Sequence, residues 1–200
     1  MTSQKNPEKE PFDINEVFRR LRRAVKGLPK AAMFDLRDRG FGSPFEQLVG
    51  ALISARTRDE TTLPVCLRLF ERARTPDQVS DMSQEELEGL LKGVAFSEPK
   101  ARDIREIARR IVEEFGGKVP ETLDGLMAFR GVGPKVAALT LGVAFNRPEI
   151  SVDVHVHRVV NRWGYVQTRT PEQTMKALAE KLPQRYWVEI NERLVPFGKF

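Results

Sequence analysis

Residues 129–145 read FRGVGPKVAALTLGVAF, and residues 151–162 read SVDVHVHRVVNR. In the first stretch Gly131 and Gly133 flank Val132. Neither glycine carries a Cβ, so the backbone can turn tightly with its N–H groups exposed. Pro134 presets φ for a first helical turn, and the apolar run from Val136 to Phe145 reads as a helix. Free amides at a helix N-terminus attract anions and suit a phosphate. A hairpin of this kind grips a polyanion by its backbone and reads no base. The same residues also suit a plain helix–turn–helix connection with Gly and Pro as punctuation, and GxGPK alone is too short to separate the two readings.

Helix signals continue in both directions. Asp13 with Glu16 has the pattern of a capping box. Ile14, Val17, Phe18, Leu21 and Val25 then share one face, and Gly27 and Pro29 stop the helix. Ser43-Pro44 opens a second helix. A third covers 59–73, with Pro64 in its first turn or kinking it. Thr75-Pro76 and Ser83 with Glu86 open two short ones. Ser97 and Pro99 open a long one, which Gly116-Gly117 ends. Further helices are expected over 122–129, 134–145, 153–163, from Thr170-Pro171 onward, and over 184–195. About eleven helices without strand alternation define an all-α fold.

Composition narrows the class. Of 200 residues, 40% are hydrophobic and 30% charged, a globular balance. A net charge of +5 suits a polyanionic partner without proving one. A single cysteine, Cys66, excludes an intrachain disulfide and a cysteine-built metal site within these residues. No apolar run reaches the length of a membrane span, because Thr140 and Gly142 interrupt the best one. Residues 1–11 are polar and expected to be mobile, with no apolar core of a secretory signal. A cytoplasmic location is therefore expected.

The quoted stretches resemble the helix-hairpin-helix DNA glycosylases, and within them the endonuclease III family. Two further segments agree. Leu52-Ile-Ser-Ala-Arg-Thr-Arg-Asp59 is similar to the family's LLSAQATD segment, and Gly93-Val-Ala-Phe-Ser-Glu-Pro-Lys-Ala101 to its damage-site loop. The likeness spans 45–200 in family order. It implies two helical lobes with a DNA-binding cleft between them. The six-helix barrel would be 37–147, with the hairpin at about 122–146, and the second lobe 1–36 plus 148–200. It also implies damaged double-stranded DNA as partner, a monomer, and nucleoid association in a bacterium.

The resemblance places Lys135 on the family's catalytic lysine and Asp153 on its catalytic aspartate. An amine is the nucleophile a glycosylase with lyase activity needs at C1′. A helix N-terminus and a cleft both disfavour the charged ammonium. Lys135 could instead grip phosphate, and Asp153 could simply cap the next helix. Gly131, Val132, Gly133 and Pro134 would hold the DNA backbone. Phe96 occupies the intercalating position, where a phenylalanine at a loop edge of the core is the other reading. Arg56 stands where endonuclease III has a helix-plugging glutamine, a departure that leaves opposite-base preference open. Arg158 reads equally as a phosphate contact or a structural ion pair. His155 would support Asp153, and Asp59 matches the family pattern or caps its helix. His155 and His157, two apart, point away from each other on a helix, so no metal site is expected.

The family usually continues from its last helix into CxxxxxxCxxCxxxxxC, which holds a [4Fe-4S] cluster. Gly198-Lys199-Phe200 stands where that motif would begin, so no cofactor is expected on these residues beyond a monovalent cation at the hairpin carbonyls. The lysine favours a bifunctional glycosylase and AP lyase for oxidised pyrimidines over the adenine-mismatch and alkyl-base branches. A monofunctional glycosylase with Asp153-activated water and a non-catalytic DNA-binding module are the alternatives.

Overall fold

A computed structural model describes residues 12–200, and the expectation for residues 1–11 lies outside it. The described chain has α1 (Ile14–Ala24), α2 (Ala32–Asp38), α3 (Pro44–Ser54), α4 (Asp59–Arg72), α5 (Pro76–Ser80), α6 (Gln84–Leu90) and α7 (Ser97–Phe115). It continues with α8 (Leu123–Met127), α9 (Pro134–Ala144), α10 (Val154–Arg162), α11 (Pro171–Lys181), a 3-10 turn (Gln184–Tyr186) and α12 (Trp187–Lys199). No strand occurs among the described residues, so the all-α expectation holds.

Local chemistry accounts for most helix starts. Ser43 and Glu46 cap each other's amides at 3.3 and 3.0 Å, with Pro44 at the first helical position. Thr75 and Gln78 repeat the device. The reciprocal box expected at α1 does not form. Asp13 accepts from the Asn15 amide at 2.8 Å, while the Glu16 carboxylate is taken by Arg19 and Arg20, stronger charged donors one turn on. Pro64 lies inside α4, beyond its first turn, and the helix continues through it to Arg72.

The helix that sequence reading missed is α2. Its N-cap is Ala31, whose side chain accepts nothing. Packing supports it instead: Ala32, Met33, Phe34 and Leu36 are buried, and Gln47 donates to the Met33 and Phe41 carbonyls at 3.3 and 2.7 Å. Short helices in proteins rest more on such burial than on propensity.

Buried side chains form two clusters. The larger draws on α2 to α9, with Val195 of α12. Its buried Glu46 is neutralised by Arg74 at 2.6 Å. The smaller joins α1, α10, α11, the 3-10 turn and α12 to Ile150 and Val152. Helix α2 therefore packs with the larger cluster, although the expected lobe boundary puts 32–36 in the second lobe. The clusters meet where Gly142 of α9 faces Val188 of α12; a Cβ at 142 would lie 3.2 Å from Val188 Cγ2.

Candidate active site

The hairpin between α8 and α9 is pinned from both sides. Thr122 caps α8 by accepting the Gly125 amide at 3.1 Å. Arg130 reaches Asp103 of α7 at 3.3 Å, and Val132 is buried beneath the turn. Gly131 has φ of +81° and a neighbour, Asp103 Oδ2, 3.1 Å from where a Cβ would stand. Gly133 differs: its φ is −96°, and a Cβ there would meet nothing within 4 Å. Only the first glycine is required by the turn itself. At the second a Cβ would stand in open space, and the first-turn amides of Lys135 and Val136 that follow have no acceptor within their helix. Arg102, Arg110 and Arg130 line a groove beside the hairpin that includes neither Lys135 nor Asp153.

Lys135 is partly buried at the start of α9. Burial pushes its ammonium below the ordinary lysine range, and the charges of Asp153 and then Asp59 oppose that shift. Asp153 is the N-cap of α10, and its Oδ1 accepts the Val156 amide at 2.8 Å. Lys135, Asp153 and Asp59 thus form one electrostatic group, drawn from three helix starts.

Asp59 does not cap its own helix. Arg58 occupies that position, and Asp59 sits in the first turn of α4. Its carboxyl is pushed above the usual range by burial, against the pull of Lys199, the Ala32 backbone amide and Lys135, while Asp153 adds to the rise. Lys199, the last residue of α12, also pairs with Glu60.

Arg158 forms no ion pair among the described residues, so that reading is corrected. Its Nη2 donates to the Gly198 carbonyl and lies 3.4 Å from His155 Nδ1. Gly198 packs on the His155 ring, with room for no side chain: a Cβ would stand 3.0 Å from His155 Cβ. The pair thus holds the end of α12. His157 bonds Thr174 Oγ1 at 2.6 Å within a network that includes Asn161 and Thr168.

Phe96 is 59% exposed, so it is not a core phenylalanine. It has φ of +59°, and Arg56 has φ of +55°. The Arg56 guanidinium lies 5.9 Å from the centre of the Phe96 ring. Two side chains from separate loops are brought together, a pairing that separate motif matches cannot show. Ser151, Thr57 and Lys100 were also missed. Ser151 donates to the Lys135 carbonyl at 3.3 Å, and Lys100 bonds the loop that carries Arg56.

A glycine hairpin, a desolvated lysine at its end and a carboxylate that acts on that lysine through its charge fit a protein of the helix-hairpin-helix class. Comparison agrees: residues 49–184 match the HhH-GPD superfamily of base excision DNA repair proteins. Endonuclease III of Thermotoga maritima is 44% identical over 156 residues, covering 78% of this chain and 73% of that protein. A solved non-covalent endonuclease III–DNA complex superposes with a TM-score of 0.82 at 29% identity, covering 94% of this chain and 85% of the other. A trapped endonuclease III–DNA covalent intermediate gives a TM-score of 0.76 at 29% identity, covering 94% and 87%. The chain belongs to the endonuclease III family of base excision repair enzymes.

The [4Fe-4S] cluster of that family needs four thiolates. Among the described residues no group of three or more His, Cys, Asp or Glu could hold a metal ion. Cys66 is buried in α4, its thiol pushed up to about 12 by burial. These residues do not fit the cluster. No helix among them is long and apolar enough to cross a membrane.

Proposed function

We propose that this chain is a bifunctional DNA glycosylase and AP lyase that removes oxidised pyrimidines from duplex DNA as a monomer, in the cytoplasm or nucleoid. The observation that carries this reading is the setting of Lys135: a helix start beside an open-amide hairpin, an ammonium disfavoured by burial, and the Asp153 carboxylate held rigid as a cap. The trapped covalent complex among similar structures supports a covalent route.

In this route the free amine of Lys135 attacks C1′ while the N-glycosidic bond breaks. The base leaves with the bonding electron pair and takes up a proton. The sugar ring opens to a protonated Schiff base. Loss of a C2′ proton then expels the 3′ phosphate by β-elimination, and water hydrolyses the imine to restore the amine. Asp153 stabilises positive charge on the sugar and accepts the proton that Lys135 must lose. Gly131, Val132, Gly133 and Pro134 hold the DNA backbone, and Phe96 with Arg56 fills the gap left by the flipped nucleotide.

Borohydride trapping on a duplex with one abasic site tests this. A covalent adduct that disappears in Lys135→Ala is expected. An adduct that survives the substitution overturns the role of Lys135. A second reading, in which Asp153 activates water, draws on the one Asp153 oxygen that the cap leaves free. It predicts base release without any adduct.

A further inference from the structure

Two exposed side chains stand side by side on strained backbone. Arg56 and Phe96 both have φ near the left-handed region, at +55° and +59°, which non-glycine residues rarely adopt. Neither turn is held by core packing of these side chains. Some other group must keep the two loops in this conformation.

Lys100 is that group. It lies one turn into α7, and its backbone amide donates to the Phe96 carbonyl at 3.0 Å. Its Nζ donates to the Ile53 and Ala55 carbonyls, each at 2.7 Å, and to Thr57 Oγ1 at 3.2 Å. An ammonium has three N–H donors, and all three are used here within the protein. Two of the acceptors are carbonyls at the C-terminal end of α3, where no further helical amide follows and the dipole favours a cation. Thr57 Oγ1 also accepts the Ala95 amide at 3.3 Å. The contacts therefore bracket Arg56 at 55 and 57 and adjoin Phe96 at 95. Burial pushes the Lys100 ammonium down to about 8, as befits a group set inside the fold and not on its rim.

We propose that Lys100 is a positioning residue that joins the Arg56 and Phe96 turns into one rigid two-residue wedge for the DNA stack. This rests on the reading of the protein as a base-flipping enzyme. It assigns Lys100 no part in bond breaking. Removing its ammonium should loosen wedge insertion while sparing Lys135.

The test uses a duplex with 2-aminopurine opposite a tetrahydrofuran abasic analogue, which Lys135 cannot attack. Fluorescence rises when the protein unstacks the 2-aminopurine. At saturating protein, Phe96→Ala and Lys100→Met should each cut the rise at least threefold, and Lys100→Arg should recover part of it. Borohydride trapping on a single-stranded abasic oligonucleotide, where no stack needs opening, should stay within twofold of wild type for Lys100→Met. A wild-type fluorescence rise in Lys100→Met overturns the inference, and so does an equal loss in both assays. Should Lys100→Met fail to fold, Thr57→Val removes the shared hydroxyl and should lower the fluorescence rise in the same selective way; an unchanged rise overturns the inference. Absence of trapping in the wild type refutes the lyase reading alone, because the fluorescence assay needs no chemistry.

Discussion

Ser151 Oγ donates to the backbone carbonyl of Lys135 at 3.3 Å, and the Ser151 carbonyl accepts from Asn191 of α12 at 3.4 Å. Ser151 is two residues before Asp153. One buried hydroxyl thus ties the approach to the carboxylate onto the first turn of the lysine's helix. Ser151→Ala should slow single-turnover base release roughly tenfold, since small misplacements of reacting groups cost rate steeply. The lost hydrogen bond should lower stability by only about 1 kcal/mol. Rate and thermal midpoint measured together check this; an unchanged rate means that Asp153 is positioned by its cap alone.

The charge of Asp153 favours the ammonium of Lys135, while burial disfavours it. In Asp153→Asn the favourable charge is gone, so the lysine pKa should fall further. The pH profile of trapping at an abasic site should therefore have its inflection at lower pH than in wild type, even as base release drops. An inflection moved upward shows that Asp153 does not act on Lys135 through its charge.

The same depressed pKa has a stability consequence. At low pH the folded and unfolded chains both carry a charged Lys135, and the folded state bears the cost of burying it. As pH rises through the folded pKa, the folded state releases its proton, while the unfolded lysine keeps one up to about 10.5. The unfolded state then binds more protons, so wild-type stability gains with pH. Lys135→Met should be more stable than wild type at neutral pH, and this advantage should shrink as pH approaches 10.5. Urea midpoints at several pH values measure it, and a pH-independent difference contradicts it.

The two hairpin glycines should respond differently to alanine. Gly131→Ala forces a side chain into φ of +81°, 3.1 Å from Asp103 Oδ2, and should cost about 1–2 kcal/mol of stability. Gly133→Ala meets nothing in the protein and should change stability by less than about 0.5 kcal/mol. If the hairpin holds phosphate as proposed, a methyl added on its open side should obstruct the DNA backbone, so duplex affinity should fall about tenfold or more. Melting curves and binding isotherms separate the cases; equal affinity for Gly133→Ala and wild type removes the hairpin from the DNA interface.

Arg158 is bonded to the end of α12, with its Nε buried and unpartnered. Arg158→Met should lower stability by about 1–3 kcal/mol through the lost charged hydrogen bond. The dependence of DNA affinity on salt should keep its slope, because no phosphate contact is removed. A slope reduced by about one is the signature of a phosphate contact and assigns Arg158 to the DNA interface.

What was legible in the chain was short-ranged. Capping residues, helix-starting prolines and terminal glycines act over three or four positions, so they mark helix after helix and the all-α class. The order GVGPK, then SVDVH, also placed a lysine and an aspartate at two helix starts. Those signals say nothing about which helix starts face each other. Helix α2 was invisible because Ala31 gives no cap, and its support comes from burial of its side chains and from Gln47 of another helix.

By itself, then, the sequence determined the helices that carry their own caps, the turn at Gly131, and the chemical types available at the candidate site. Only tertiary structure decided how these act together. Burial lowers the Lys135 ammonium, packing of α9 on α12 brings Ser151 to Lys135, and Lys100 reaches 47 positions back to Ile53. Desolvation, close packing and long-range hydrogen bonds depend on neighbours in space, and no local pattern of residues records them.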